Sequence, residues 1–99
     1  MTFKDEPINN IVNYLLNKFP DKLVVKDFWE ADTCAIGVGN KSEAKLIYIS
    51  TCKKPIDLFF VALETSLTNI NENYDRVENF DNVTIDELEE LVIKHLILE

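Results

Sequence analysis

Apolar positions near the start of the chain recur with the period of an α-helix. Between residues 6 and 19 they fall at i, i+3, i+4, i+7, i+8 and i+11, and asparagines occupy the other side. Asp5 is placed to cap this segment, and Pro7 is tolerated in the first turn, where its missing N–H has no intrahelical partner. Pro20 disfavours the helical conformation at the residue before it. The pattern predicts a first helix over residues 6–19.

The period changes to that of β-strands in the middle of the chain. Apolar and β-branched residues dominate four runs, at residues 22–30, 33–38, 44–51 and 58–64. Short segments of turn-forming composition separate the runs, so we expect antiparallel pairing. The runs at 44–51 and 58–64 are apolar on both faces. This predicts central positions in the sheet, or a second layer that covers its far side.

Apolar residues become sparse after residue 65, until a second helix begins. We expect a loop at about residues 66–73 and a short edge strand near residues 74–80. Thr84 and Glu87 then have the spacing of a capping box, which starts a helix with an apolar stripe. Helices at both ends of a run of antiparallel strands predict an α+β fold. We expect a two-layer sandwich, in which both helices cover one face of a sheet of four or five strands, in a single domain over residues 1–99.

Charge is distributed unevenly along the 99 residues, which carry a net charge of −8. Residues 1–65 hold nine acids and eight bases, whereas residues 66–99 hold nine acids and two bases. A strongly negative surface repels nucleic acid and anionic lipid and attracts basic partners. No apolar run approaches the roughly 20 residues that cross a bilayer. We therefore expect no direct binding to nucleic acid or to a membrane.

Two cysteines, Cys34 and Cys52, are predicted to lie on separate strands. The N-terminus lacks the apolar region of a signal peptide, and two cysteines in such a chain are more typical of a reducing cytosol. We expect buried free thiols and a cytoplasmic protein, although the sequence leaves a disulfide between the two cysteines open.

Motifs for catalysis, metal binding or cofactor binding do not emerge from the sequence. His95 is the only histidine and lies near the end of the second helix, where a positive charge is favourable. Cys34, Cys52 and His95 lack the close spacing of zinc ligands. The insert at residues 52–57 contains Lys53, Lys54 and Pro55, which suit an exposed turn. We expect no enzyme activity, no cofactor and no metal.

A protein partner is the remaining class of target, and the concentration of acids suggests where it binds. Acids recur at every third residue from Glu72 to Asp81, and the spacing resumes at residues 87 and 90. Trp29 and Tyr74 are candidate aromatic anchors between polar residues. The alternatives are core packing for Trp29 and a solvated helix face for the acids. The candidate contact residues are Trp29, Glu30, Asp32, Glu72, Tyr74, Asp75, Glu78, Asp81, Glu87 and Glu90.

In size, acidity and expected architecture the chain resembles the small immunity proteins of bacterial polymorphic toxin and contact-dependent growth inhibition systems. The acidic segment that leads into TIDELEELVIKHL is also similar to the end of many such proteins. The resemblance implies an antitoxin-like protein, expected to be a monomer, that neutralises a cognate toxin domain, often a basic nuclease. A small acidic secretion chaperone that holds an effector segment is the alternative, and an enzyme is a third possibility.

Overall fold

The fold is described from a computed structural model, which covers residues 4–26, 33–42, 44–66 and 74–97. The elements follow one another as a helix, five strands and a second helix. They are α1 (Glu6–Lys18), β1 (Leu23–Lys26), β2 (Ala35–Asn40), β3 (Lys45–Ser50), β4 (Phe59–Ser66), β5 (Tyr74–Val83) and α2 (Ile85–Val92), which continues as a π-helical turn at Ile93–Ile97. The order confirms the predicted α+β class.

The strands form one antiparallel sheet in the order β1-β2-β3-β4-β5. Each strand therefore pairs with its neighbour in sequence, as short connections favour. β3 lies at the centre, with Ile36 of β2 opposite Ile49 and Leu63 of β4 opposite Ile47. The central positions predicted for the two doubly apolar strands are confirmed.

Both helices pack on the same face of the sheet. Alternate strand residues, such as Ile36, Ile47 and Val61, join one buried cluster with Leu15 of α1 and Leu88 of α2. α1 contacts β1 and β2, α2 contacts β4, and the π-helical turn contacts β2 and β3. Because strand side chains alternate between faces, this shared cluster places the two helices side by side on one layer. The predicted two-layer sandwich is confirmed.

The strand boundaries differ from prediction at β2 and at the last two strands. β2 begins and ends two residues later than predicted, at Ala35 and Asn40, because Gly39 and Asn40 still pair with the neighbouring strands. β4 extends to Ser66, two residues beyond the predicted end, and β5 continues to Val83 rather than ending near residue 80. Val83 pairs with Phe59, and its side chain is buried in the core, so the ladder is extended across a bulge. Asn82 takes a φ of 52° at this irregularity, a conformation that asparagine tolerates better than most residues. Of the predicted loop, residues 67–73 lie outside the described part of the chain.

The capping box at the start of α2 is confirmed. The backbone N–H of Glu87 donates to Thr84 Oγ1 at 3.2 Å, and the backbone N–H of Thr84 donates to Glu87 Oε1 at 2.9 Å. At α1, Asp5 is the capping residue as expected. Its side chain makes no capping bond to the described residues, and its backbone N–H instead donates to the Thr33 carbonyl at 2.7 Å.

The expectation of free thiols is wrong, because Cys34 and Cys52 form a disulfide with their Cα atoms 5.2 Å apart. The cysteines lie just outside the strands, one before β2 and one after β3. Antiparallel pairing of Ala35 with Ser50 brings these two ends together. The two cysteines are 18 residues apart in sequence, so their spacing alone did not predict that they lie close together. Disulfides persist mainly in oxidising compartments, so the cysteines no longer argue for a cytoplasmic location.

Candidate protein-interaction site

The ten predicted contact residues are only partly within the described chain. Trp29, Glu30, Asp32 and Glu72 lie outside the described residues. Tyr74 and Asp75 begin β5, and their backbones pair with Ser66 and Thr65 of β4. Glu78, Asp81, Glu87 and Glu90 are described and exposed. The predicted site is therefore reduced to acids on β5 and on α2.

Glu78 and Glu90 lie on the side of the molecule that the helices cover. Glu78 pairs with Leu63, which belongs to the cluster under the helices, and paired residues share a face of the sheet. Glu90 lies on α2, on the side of that helix away from buried Leu88 and Val92. Both carboxylates are exposed, Glu78 on the β5 edge and Glu90 on the outer side of α2.

Asp81 and Glu87 also hold the local structure. Lys54 Nζ donates to Asp81 Oδ1 in an ion pair, and the N–H of Asn82 donates to the same oxygen at 3.0 Å. The Lys54 ammonium, followed by the Asn82 N–H, lowers the pKa of Asp81 below its usual range. Glu87 accepts from Thr84 in the capping box. Part of the charge counted in the sequence is therefore engaged within the protein.

Glu89, which was not among the predicted contacts, joins the two helices. Tyr14 Oη donates to Glu89 Oε1 at 2.5 Å, and Lys18 Nζ lies 3.7 Å from the same oxygen. This hydrogen bond to a carboxylate, with smaller contributions from desolvation and from the charges of Glu89 and Asp86, raises the pKa of Tyr14. The side of α2 that faces α1 is thus occupied by a contact between helices.

A groove that sequence analysis missed opens beside this contact. It has a volume of about 610 Å³ and lies between the first half of α1, the β3–β4 connection and the start of α2. Its apolar lining includes Ile11, Phe59 and Ile85, while Tyr14 and Ile56 line its sides. The only signal in the sequence was an isoleucine in the otherwise polar insert KKPID.

The β3–β4 connection, residues 51–58, is named here the Ile56 loop. Two hydrogen-bonded turns build it: the N–H of Lys54 donates to Thr51 O at 3.1 Å, and the N–H of Leu58 donates to Pro55 O at 3.2 Å. The third residue of each turn has positive φ, 58° at Lys53 and 66° at Asp57. These left-handed conformations are uncommon for residues other than glycine, so the surrounding contacts must hold them.

Two further links fix the Ile56 loop to the rest of the fold. The disulfide ties Cys52 to Cys34, and the Lys54–Asp81 pair ties the loop to β5. Ile56 is nevertheless 86% exposed at the tip. The loop thus presents a large apolar side chain to solvent from a fixed backbone, at the side of the groove.

Metal-ligand clusters and the single histidine were the remaining candidates for chemistry in the sequence. Nowhere in residues 4–26, 33–42, 44–66 and 74–97 do three His, Cys, Asp or Glu side chains gather as a potential metal site. His95 Nε2 lies 3.0 Å from the Glu64 carbonyl oxygen, and a carbonyl only accepts, so this nitrogen carries the hydrogen. The contact ties the π-helical turn to β4.

None of the described helices is long and apolar enough to cross a bilayer. The chain matches no protein-family model, no curated protein and no solved structure.

Proposed function

We propose that the protein is an immunity protein that binds and neutralises a cognate toxin domain, with a basic nuclease as the expected toxin class. The observation that carries the proposal is the exposure of Glu78 on the β5 edge and of Glu90 on α2, in a chain of net charge −8. Exposed charge of this sign complements a cleft built for nucleic acid. Charge complementarity also accelerates encounter, to association rates of about 10⁸–10⁹ M⁻¹s⁻¹ at low salt.

The proposal includes a monomeric protein in the cytoplasm of the producing cell. The disulfide makes the location testable, because a reducing cytosol keeps most cysteine pairs as thiols. Trapping of free thiols by alkylation in intact producing cells should modify Cys34 and Cys52 if the protein resides there. Protection of both from the alkylating reagent, with modification after reduction, would place the protein in an oxidising compartment.

The direct test uses the protein encoded by the adjacent reading frame, produced together with this chain. We expect a stable complex and loss of that protein's toxicity. Glu78→Gln should slow association several-fold at low salt, and the double variant with Glu90→Gln should slow it further, because charges at an interface act mainly on the association rate. Asp21→Asn removes one exposed charge in the α1–β1 turn and is the matched control.

Two results would contradict the proposal. One is the absence of any complex or protection. The other is an association rate that responds equally to Glu78→Gln and Asp21→Asn, since Glu78 would then have no special role. The groove gives the secretion-chaperone alternative one specific observation in its favour. A dimer in gel filtration, bound to an effector segment without loss of toxicity, would favour that alternative.

A further inference from the structure

We propose that the groove beside the Ile56 loop is the docking site for one segment of the protein partner, in which a large apolar side chain is flanked by lysine or arginine. This inference deepens the proposed function and rests on it for the partner's role. It assigns the tightest contact to the groove rather than to the exposed acids Glu78 and Glu90.

The exposed apolar side chains point to this site. In the part of the chain that the structure describes, three large apolar residues are exposed: Tyr14 at 40%, Ile56 at 86% and Val77 at 64%. Tyr14 and Ile56 line the same groove. Single exposed apolar residues are ordinary, but two beside a concavity with an apolar lining form a patch that a partner can bury. At about 610 Å³ the groove lies within the roughly 300–1,000 Å³ range of ligand pockets.

The Ile56 loop is held in one conformation, which favours its use as a docking surface. Both turns of the Ile56 loop are closed by backbone hydrogen bonds, and the Lys54–Asp81 pair anchors the loop to β5. These contacts do not depend on whether Cys34 and Cys52 are oxidised. Docking onto a fixed loop avoids the free-energy cost of ordering it on binding. The left-handed Lys53 and Asp57 also indicate a backbone held in a costly conformation, which is frequent at binding sites.

The charges that line the groove indicate which residues should flank the apolar side chain of the bound segment. Three exposed acids line it, namely Asp5, Glu6 and Asp57. Lys54 is the one base in the lining, and it is paired with Asp81. A segment with an apolar side chain between two cations fits this lining. The apolar side chain would be buried against Ile56 and the apolar lining, and the flanking cations would pair with the three carboxylates.

The test is an NMR titration of the full chain with three short synthetic peptides of one length. The first alternates leucine with lysine and arginine, the second has glutamate in place of the cations, and the third has serine in place of leucine. Only the first peptide should give saturable chemical-shift changes at millimolar concentration. The largest changes should be at the backbone amides of Asn10, Tyr14 and Ile56. Ile56→Ser should weaken this binding at least tenfold, about 1.4 kcal/mol.

Val77→Ser is the matched control, because Val77 is also an exposed β-branched residue but lies on β5, outside the groove. It should leave the peptide affinity unchanged. The proposal is wrong if the basic apolar peptide gives no saturable shifts in the groove, if the acidic peptide binds equally, or if Val77→Ser weakens binding as much as Ile56→Ser.

The same two variants separate this inference from the proposed function. If the complex with the adjacent-frame protein forms and Ile56→Ser dissociates no faster than Val77→Ser, the groove assignment fails while the immunity function stands. If that complex does not form but the peptide result holds, the groove is a docking site and the immunity function fails.

Discussion

The acidic β5 edge and the Ile56 loop differ in how each becomes a surface for contact. β5 is a strand at the end of the described sheet, and its exposed acids follow directly from local composition. The loop has little net charge, but its fixed backbone carries an exposed isoleucine beside a groove. Charge density is a local property of the chain, whereas concavity and rigidity arise from residues that are distant in sequence.

The two regions are also physically connected. Lys54 of the Ile56 loop pairs with Asp81 of β5, 27 residues away. An acid that sequence analysis assigned to partner binding therefore contributes to holding the loop. We propose different kinetic roles for the two regions. Acids at the β5 edge would act on the association rate with a partner, and the groove would act on the dissociation rate.

The largest difference in unfolding free energy is expected between substitutions at two isoleucines, Ile49 in β3 and Ile56 in the loop that follows. Ile49 is fully buried in β3, so Ile49→Ala should lower the free energy of unfolding by about 2–5 kcal/mol. Ile56→Ala should change it by less than about 0.5 kcal/mol, because the side chain already contacts solvent. Urea unfolding measures both. A cost at Ile56 close to that at Ile49 would show that Ile56 serves the core rather than a partner.

Removing the disulfide should have the next largest effect. The double variant Cys34→Ser, Cys52→Ser opens a loop closed across 18 residues, which should cost about 3 kcal/mol in unfolding free energy. Wild-type protein unfolded in the presence of a thiol reductant is the control and should match the variant. The amides of the Ile56 loop should also exchange hydrogen faster after reduction. Unchanged stability and exchange would mean that the loop is held without the disulfide.

The smallest effect on stability is expected for the Lys54–Asp81 ion pair, which joins the Ile56 loop to β5. Asp81 has a folded-state pKa below its ordinary value of 3.8, so the pair stabilises the fold above that pH. The contribution is lost as the pH falls through the lower folded-state pKa. Asp81→Asn should therefore reduce the urea midpoint slightly near neutrality and have no effect in strong acid. Lys54→Met should reproduce this result, and a difference from wild type that persists in acid would exclude the pair as its source.

Sequence patterns predicted the fold because most of its determinants are local. The helical stripe of α1, the Thr84–Glu87 capping box and the apolar, β-branched run of β3 each act within a few residues. The end of β5 was missed because it depends on the burial of Val83 against distant residues. The disulfide was missed for a related reason, since only the β2–β3 register brings Cys34 to Cys52.

The interaction site was less accessible from sequence. Exposed acids were found by counting, and Glu78 and Glu90 are indeed at the surface. Nothing in the sequence indicated that Asp81 pairs with Lys54, and the capping box predicted for Glu87 was not weighed against its assignment to partner binding. The groove forms where three segments that are distant in sequence come together, so local patterns did not predict it. The one local indication was Ile56 in an otherwise polar turn.

The most direct test of the account is the dissociation rate of the complex between this chain and the protein encoded by the adjacent reading frame. It would be measured for wild type, Ile56→Ser and Val77→Ser. We expect dissociation to be faster by about tenfold or more for Ile56→Ser and to keep the wild-type rate for Val77→Ser. Equal rates for all three proteins would contradict the assignment of the groove, and failure of wild type to form the complex would contradict the proposed function itself.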